Sequence, residues 1–302
     1  MIEYVATPAG TEHFELAEGP VWDAARSRLL WVDILRGLVV EGTLLESTLS
    51  GAGAGVDVVR RHQFDEMVTA VVPAEDGRLL VAAQERLVVI GVDGDCAIGP
   101  RIFTAGESRR TNDGAVDPAG RFLIGTLALG GQTNEESLYR VERDGSLLTL
   151  DDDLGLSNGL AWSLDGRTLY SVDTLERRIW RRSYPKSGAP GERELYLLIE
   201  DGYPDGMCMD TDGYLWIAMW GAGEVRRYAP DGSVAAVVRT TAPHTSSVAF
   251  VGPDLDRLLI TTARQNLTPE QLVDYPDSGL LFLADVDATG VPATAWSGNF
   301  GR

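Results

Sequence analysis

A turn that keeps returning constrains this chain more than any other feature. Six segments share one pattern: a short apolar run, a polar turn, and a second β-rich run. They are "EGPVWDAARSRLLWVDI" from Glu18, "TAVVPAEDGRLLVAA" from Thr69, "DGAVDPAGRFLIGTL" from Asp113, "NGLAWSLDGRTLYSVD" from Asn158, "DGMCMDTDGYLWIAMW" from Asp205 and "SSVAFVGPDLDRLLITTA" from Ser246. Successive starts lie 51, 44, 45, 47 and 41 residues apart. A third apolar run ending in another turn follows each segment, as in "EVRRYAPDGSV", and stretches such as "ELYLLIE" supply a fourth. Asp-Gly between two apolar runs signals a hairpin, because glycine accepts the positive φ of the tight turn. Four short strands in a unit of about 40 to 45 residues are the signature of a propeller blade. The prediction is an all-β fold, a six-bladed β-propeller with four-stranded blades around a central channel, spanning residues 1–302 as one domain. A length-based prior would give about two domains, but propellers exceed it as single units.

The amino-terminal "IEYV" falls outside the six units. It is expected to pair with the last blade, closing the ring and shielding two strand edges. "LTPEQLVDY", Leu267 to Tyr275, predicts a short helix with Thr268 as N-cap and Pro269 in its first position. Trp22, Trp31, Trp162 and Trp216 fall at equivalent strand positions and are assigned to the core between blades, whereas Trp220 sits near a strand end.

Composition narrows the partners. Acidic residues outnumber basic ones by 45 to 26, a formal net charge of −19, which opposes a nucleic-acid or anionic-membrane partner. No stretch approaches the roughly 20 apolar residues of a membrane helix, and "MIEYVATPAG" has no signal-peptide pattern, so a cytoplasmic location is expected. Cys96 and Cys208 read as two reduced thiols. His13, His62 and His244 are isolated, with no Cys/His cluster of zinc spacing.

Aligning the repeats exposes one column immediately before each first strand, occupied by Glu18, Thr69, Asp113, Asn158, Asp205 and Ser246. In a propeller that strand lines the channel. Strand formation does not ask for acids and amides there, and four of the six precede a glycine, which lets backbones approach closely. A lone Asp-Gly is ordinarily a turn; a shared register across repeats points to an axial site. Oxygen donors converging on one axis suit a hard divalent cation, and Glu18, Asn158 and Asp205 would offer two carboxylates and an amide carbonyl from three blades. Arg110 and Asn112 lie just before Asp113-Gly114 and could overhang the same channel mouth, with donors suited to hydroxyl or carboxylate oxygens.

These residues carry a resemblance. "LAEGPVWD…LLWVDI", "RRTNDGAVDPAGRFLIGTL", "LSNGLAWSLDGRTLYSVD" and "YPDGMCMDTDGYLWIA", in matching order along nearly the whole chain, resemble the regucalcin/gluconolactonase (senescence marker protein) family. The resemblance implies hydrolysis of a sugar lactone at a divalent metal in the channel of a six-bladed propeller. It implies Glu18, Asn158 and Asp205 as metal ligands, Asp205 also as catalytic acid/base, and Arg110 and Asn112 as contacts to substrate hydroxyls. Calcium is the expected metal, with zinc, manganese, magnesium and iron(II) as further candidates. One departure concerns the substrate: "GTLALGG" puts Leu129 near the place where animal members have a sugar-contacting glutamate. No G-x-S-x-G element marks a serine hydrolase. Two other readings use the same parts: a phosphotriesterase or other lactonase on this scaffold, and a non-enzymatic calcium-binding propeller.

Overall fold

A computed structural model describes residues 1–45, 55–298 and 300. Two short strands come first, β1 (Ile2–Val5) and β2 (Thr7–Pro8). Blade one holds β3 (Ala17–Asp23), β4 (Arg28–Asp33), β5 (Leu38–Leu45) and β6 (Gly55–Gln63). Blade two holds β7 (Val68–Pro73), β8 (Leu79–Ala83), β9 (Arg86–Ile90) and β10 (Cys96–Arg101). Blade three holds β11 (Arg109–Val116), β12 (Phe122–Ala128), β13 (Glu136–Val141) and β14 (Leu147–Leu154). Blade four holds β15 (Ser157–Trp162), β16 (Thr168–Asp173), β17 (Arg178–Ser183) and β18 (Glu194–Leu198). Blade five holds β19 (Tyr203–Met209), β20 (Leu215–Trp220), β21 (Glu224–Tyr228) and β22 (Val234–Arg239). Blade six holds β23 (Thr245–Val251), β24 (Arg257–Thr262) and β25 (Phe282–Asp285), with the helix α1 (Pro269–Asp274) between the last two. The predicted six-bladed propeller is the fold.

The ring closes in a way the sequence reading missed. "IEYV" is β1, and it pairs in parallel with β22, adding a fifth strand to blade five rather than joining the last blade. The last blade takes its fourth strand from β2, beyond Ala6, with Thr7 opposite Leu283 and Pro8 opposite Phe282. Between the two strands, the Ala6 N–H donates to the Arg239 carbonyl at 2.9 Å and the Ala6 side chain is buried among Trp216, Phe250 and Phe282. Burial at that seam steers the segment from one blade to the next.

Six apolar clusters fill the six gaps between neighbouring blades. The second strand of each blade feeds two of them by simple alternation. In β20, Leu215, Ile217 and Met219 face blade four while Trp216 and Ala218 face blade six. A strand buried on both faces therefore reads as a continuous apolar run, which is why "LWIAM" shows no polar alternation. Trp31 and Trp216 are fully buried, each meeting a phenylalanine edge-on, Phe14 at 5.8 Å and Phe250 at 5.7 Å. Trp22 is nearly buried; Trp162 is only half-buried, because both line a channel cavity described below. The helix starts as the sequence predicts, with Thr268 and Gln271 forming a capping box and Pro269 next. No helix is long and apolar enough, among the described residues, to cross a membrane.

Candidate active site

Every inner strand breaks register at the aligned column. The shifts fall between Glu18 and Val21, Val68 and Ala70, Thr111 and Gly114, Asn158 and Leu160, Pro204 and Met207, and Thr245 and Ser247. A bulge puts an extra residue on one strand and re-aims its side chain. The glycines of the column serve a different need. A Cβ on Gly159 would collide with the backbone carbonyl of Asp205, and one on Gly206 with the Ser247 side chain. Each is a contact from one blade to the next, so the inner strands pack around the axis at a spacing that only glycine allows.

The six column residues then divide. Glu18, Asn158 and Asp205 line one cavity of about 300 Å³ together with Arg110 and Asn112. Thr69 bonds its hydroxyl to Thr111 Oγ1 at 2.7 Å, and Ser246 Oγ donates to the Ala17 carbonyl at 2.6 Å, so both stitch neighbouring blades and face no ligand space. Asp113 lines a separate cavity of about 380 Å³ at the other end of the channel, among apolar groups that include Trp22, Trp162 and Phe250.

Hydrogen bonds orient the site. Asn158 Nδ2 donates to Thr174 Oγ1 at 3.2 Å, and Thr174 Oγ1 donates to the Pro204 carbonyl at 2.8 Å, which ties blade four to blade five beside Asp205. With its amide nitrogen engaged, Asn158 keeps its Oδ1 for the cavity. Arg110 Nη1 donates to Asn112 Oδ1 at 2.5 Å and to the Thr111 carbonyl at 3.0 Å; Asn112 Nδ2 donates to the Ser157 carbonyl at 2.8 Å. Asp205 Oδ1 is buried and has no hydrogen-bond partner among the described residues. An orphaned buried carboxylate oxygen is costly unless something else meets it.

Electrostatics point the same way. Burial pushes the Glu18 carboxyl well above its ordinary range, and the charges of Asp205 and Asp113 push it further. Burial and then the Asp113 charge raise Asp205, with the Asn158 amide offsetting part. Asp113 itself rises to about 6 through burial. Arg110 is lowered to about 10 by burial, against the pull of Glu18 and Asp205. Glu18 and Asp205 share one guanidinium, Arg110, and Asp113 adds a further carboxyl nearby, so the site favours a cation. The donor set fits such an ion. Among the described residues no group of three His, Cys, Asp or Glu gathers as a metal cluster; this set counts two carboxylates and an amide.

Several cavity residues escaped the sequence reading. Thr174 carries no local signal, since its role comes from blade five. Trp220 lines the cavity with its ring stacked on His244, centroids 4.3 Å apart, and Gln265 and Asn266 reach in from the loop before the helix. Leu129 is exposed and outside the cavity; Leu127, two residues earlier, lines it. β12 ends at Ala128, so Leu127 lies within the strand and Leu129 lies beyond its end.

A six-bladed propeller with an oxygen-donor cage on its axis defines the class. Within it, the chain belongs to the SMP-30/gluconolactonase/LRE-like family, whose pattern matches residues 16–264. It is 31% identical to a regucalcin of Danio rerio over 294 residues, covering 95% of this chain and 96% of that protein. It is 32% identical to 6-deoxy-6-sulfogluconolactonase of Pseudomonas putida over 289 residues, covering 94% and 95%. Among solved structures, a calcium-binding regucalcin of Agrobacterium tumefaciens superposes with a TM-score of 0.87 at 28% identity, covering 98% of each chain.

Proposed function

We propose that this chain hydrolyses a sugar lactone to the aldonic acid, with one divalent metal ion as cofactor. The observation that carries the reading is Asp205: a buried carboxylate with an unpartnered Oδ1, beside Glu18 and Asn158, in the same cavity as Arg110 and Asn112. Relatives named for lactonase activity support it. Glu18, Asn158 and Asp205 would hold the ion, and the all-oxygen set suits calcium best, then magnesium or manganese. A cation bound there supplies Lewis acidity at the lactone carbonyl.

The chain's own groups account for the rest. Arg110, fixed by Asn112 and the Thr111 carbonyl, presents its remaining N–H groups to substrate hydroxyls. Asn112 keeps one lone pair and one N–H for the same purpose. Asp205 takes a proton from water as the water oxygen bonds to C1. When the bond from C1 to the ring oxygen breaks, Asp205 returns that proton to the departing oxygen, which becomes a hydroxyl. A carboxylate next to a cation is a weak base. Asp113 counters this, because its charge raises the proton affinity of Asp205.

The test is hydrolysis of glucono-, xylono-, arabinono- and galactonolactone, followed by pH indicator, with chelator-stripped protein and calcium, magnesium, manganese, zinc or iron(II) restored singly. The expected result is turnover restored by one metal and abolished in Asp205→Ala with its circular dichroism intact. Background rates throughout would remove the lactonase reading and leave the phosphotriesterase and calcium-binding readings in its place.

A further inference from the structure

The mouth of the site is chemically lopsided. On the side of blades five and six it offers Tyr203, Trp220, Gln265 and Asn266, so a ligand there meets a phenol, an indole face and two amides. On the side of blades three and four it offers Leu127, Leu156 and Leu175, all half-buried and all lining the cavity. The polar groups of these two blades, Arg110, Asn112, Asn158 and Thr174, are more deeply buried than the leucines, and the Thr174 hydroxyl is already engaged, accepting from Asn158 and donating to the Pro204 carbonyl.

A sugar lactone with hydroxyls on every carbon would press at least one of them against this leucine wall. There it would lose water and find no partner. A methyl group in the same place buries apolar surface against apolar surface. From this asymmetry we infer that the substrate is a deoxy-sugar lactone, methyl-terminated, whose hydroxyl-free end lies on Leu127, Leu156 and Leu175 while its ring hydroxyls meet Arg110 and Asn112. The inference rests on the lactonase reading and names its substrate class. The expected size of the preference follows from how apolar pockets discriminate. They tell one methylene-sized group from another by about 10- to 200-fold, and they reject an added hydroxyl by up to about 100-fold.

Matched pairs of lactones test it with the metal-loaded, full-length protein. Each pair shares a configuration (galactono, mannono or glucono, in both enantiomeric series) and differs only in carrying hydroxymethyl or methyl at the terminal carbon. In the best-turned-over configuration, kcat/KM is expected to favour the methyl member by at least about 10-fold. Leu127→Gln, which sets an amide into the wall, should narrow or reverse that ratio. Calorimetric binding of the two product acids gives a second readout that requires no turnover, and the methyl acid should bind more tightly. Equal rates, or a preference for the hydroxylated member that Leu127→Gln leaves unchanged, would overturn the inference while leaving the lactonase reading intact. If no lactone of any pair is hydrolysed above background, the lactonase reading falls. The acids then decide the wall separately, and equal or undetectable binding of both overturns it too.

Discussion

Thr174 holds Asn158 and the backbone of the next blade through one oxygen, so the direction in which Asn158 points depends on a residue that itself offers the ligand nothing. Residues that orient a ligand by hydrogen bonding typically change metal affinity by 10- to 100-fold when removed. Thr174→Val is therefore expected to weaken calcium binding by about that factor in a calorimetric titration, with Thr174→Ser restoring it; equal affinity in both variants would mean that Asn158 is oriented by something else. Asp113 makes a different prediction. Its carboxyl titrates at about 6 in the folded chain against 3.8 ordinarily, so between those values the folded state holds a proton that the unfolded state has released. Such a group stabilises fully below the lower value, and its contribution is lost as pH rises through the upper one. Glu18 and Asp205 shift in the same direction, so metal-free protein should lose stability as the pH climbs through this range. Asp113→Asn should raise the Tm of chelated protein well above pH 6 and leave it nearly unchanged below pH 4, the window set by Asp113 itself. A variant that melts with the parent at both ends would refute that account.

The recurring element is the bulged inner strand. Its glycines were visible in the sequence as Asp-Gly and Asn-Gly pairs out of place for turns, and the reason is now physical: Gly206 lies where a Cβ would enter Ser247 of the adjoining blade. Gly206→Ala should cost about 1–3 kcal/mol of unfolding free energy by urea titration, the range for overpacking, and Ser247→Gly in the same chain should recover part of it. Additive losses would show that the two positions do not meet. The blade count and the column were legible because period-2 strands and turn chemistry repeat locally. Which column members turn into the cavity was not. Thr69 and Ser246 look as eligible as Asn158 until their hydroxyls are seen bonding across blades. Nor could the leucine wall be read, since Leu127, Leu156 and Leu175 become neighbours only when blades three and four are set side by side. The parallel pairing of β1 with β22 has no turn to announce it, which is how "IEYV" came to be placed one blade too far.

At the scale of the molecule, the ring is held shut by residues 1–8, six of which pair with β22 or β25. A chain lacking residues 1–8 would expose the edges of both strands, and it should melt at a lower temperature and self-associate in light scattering; a monomer with the parental Tm would show that the clasp is dispensable. The same clasp imposes an order on biosynthesis. Thr7 is made long before Leu283, and their pairing, of extreme separation along the chain, is a slow, late event. Asp205 and Glu18 are made far apart in time as well, and the loop that brings Gln265 and Asn266 to the mouth comes later still. A nascent chain thus has no closed ring to offer a cation until β25 of blade six has been made. In arrested nascent chains of increasing length, any protease resistance conferred by calcium should appear in a single step once residue 285 has emerged; a gradual rise would show that partial rings already hold the ion.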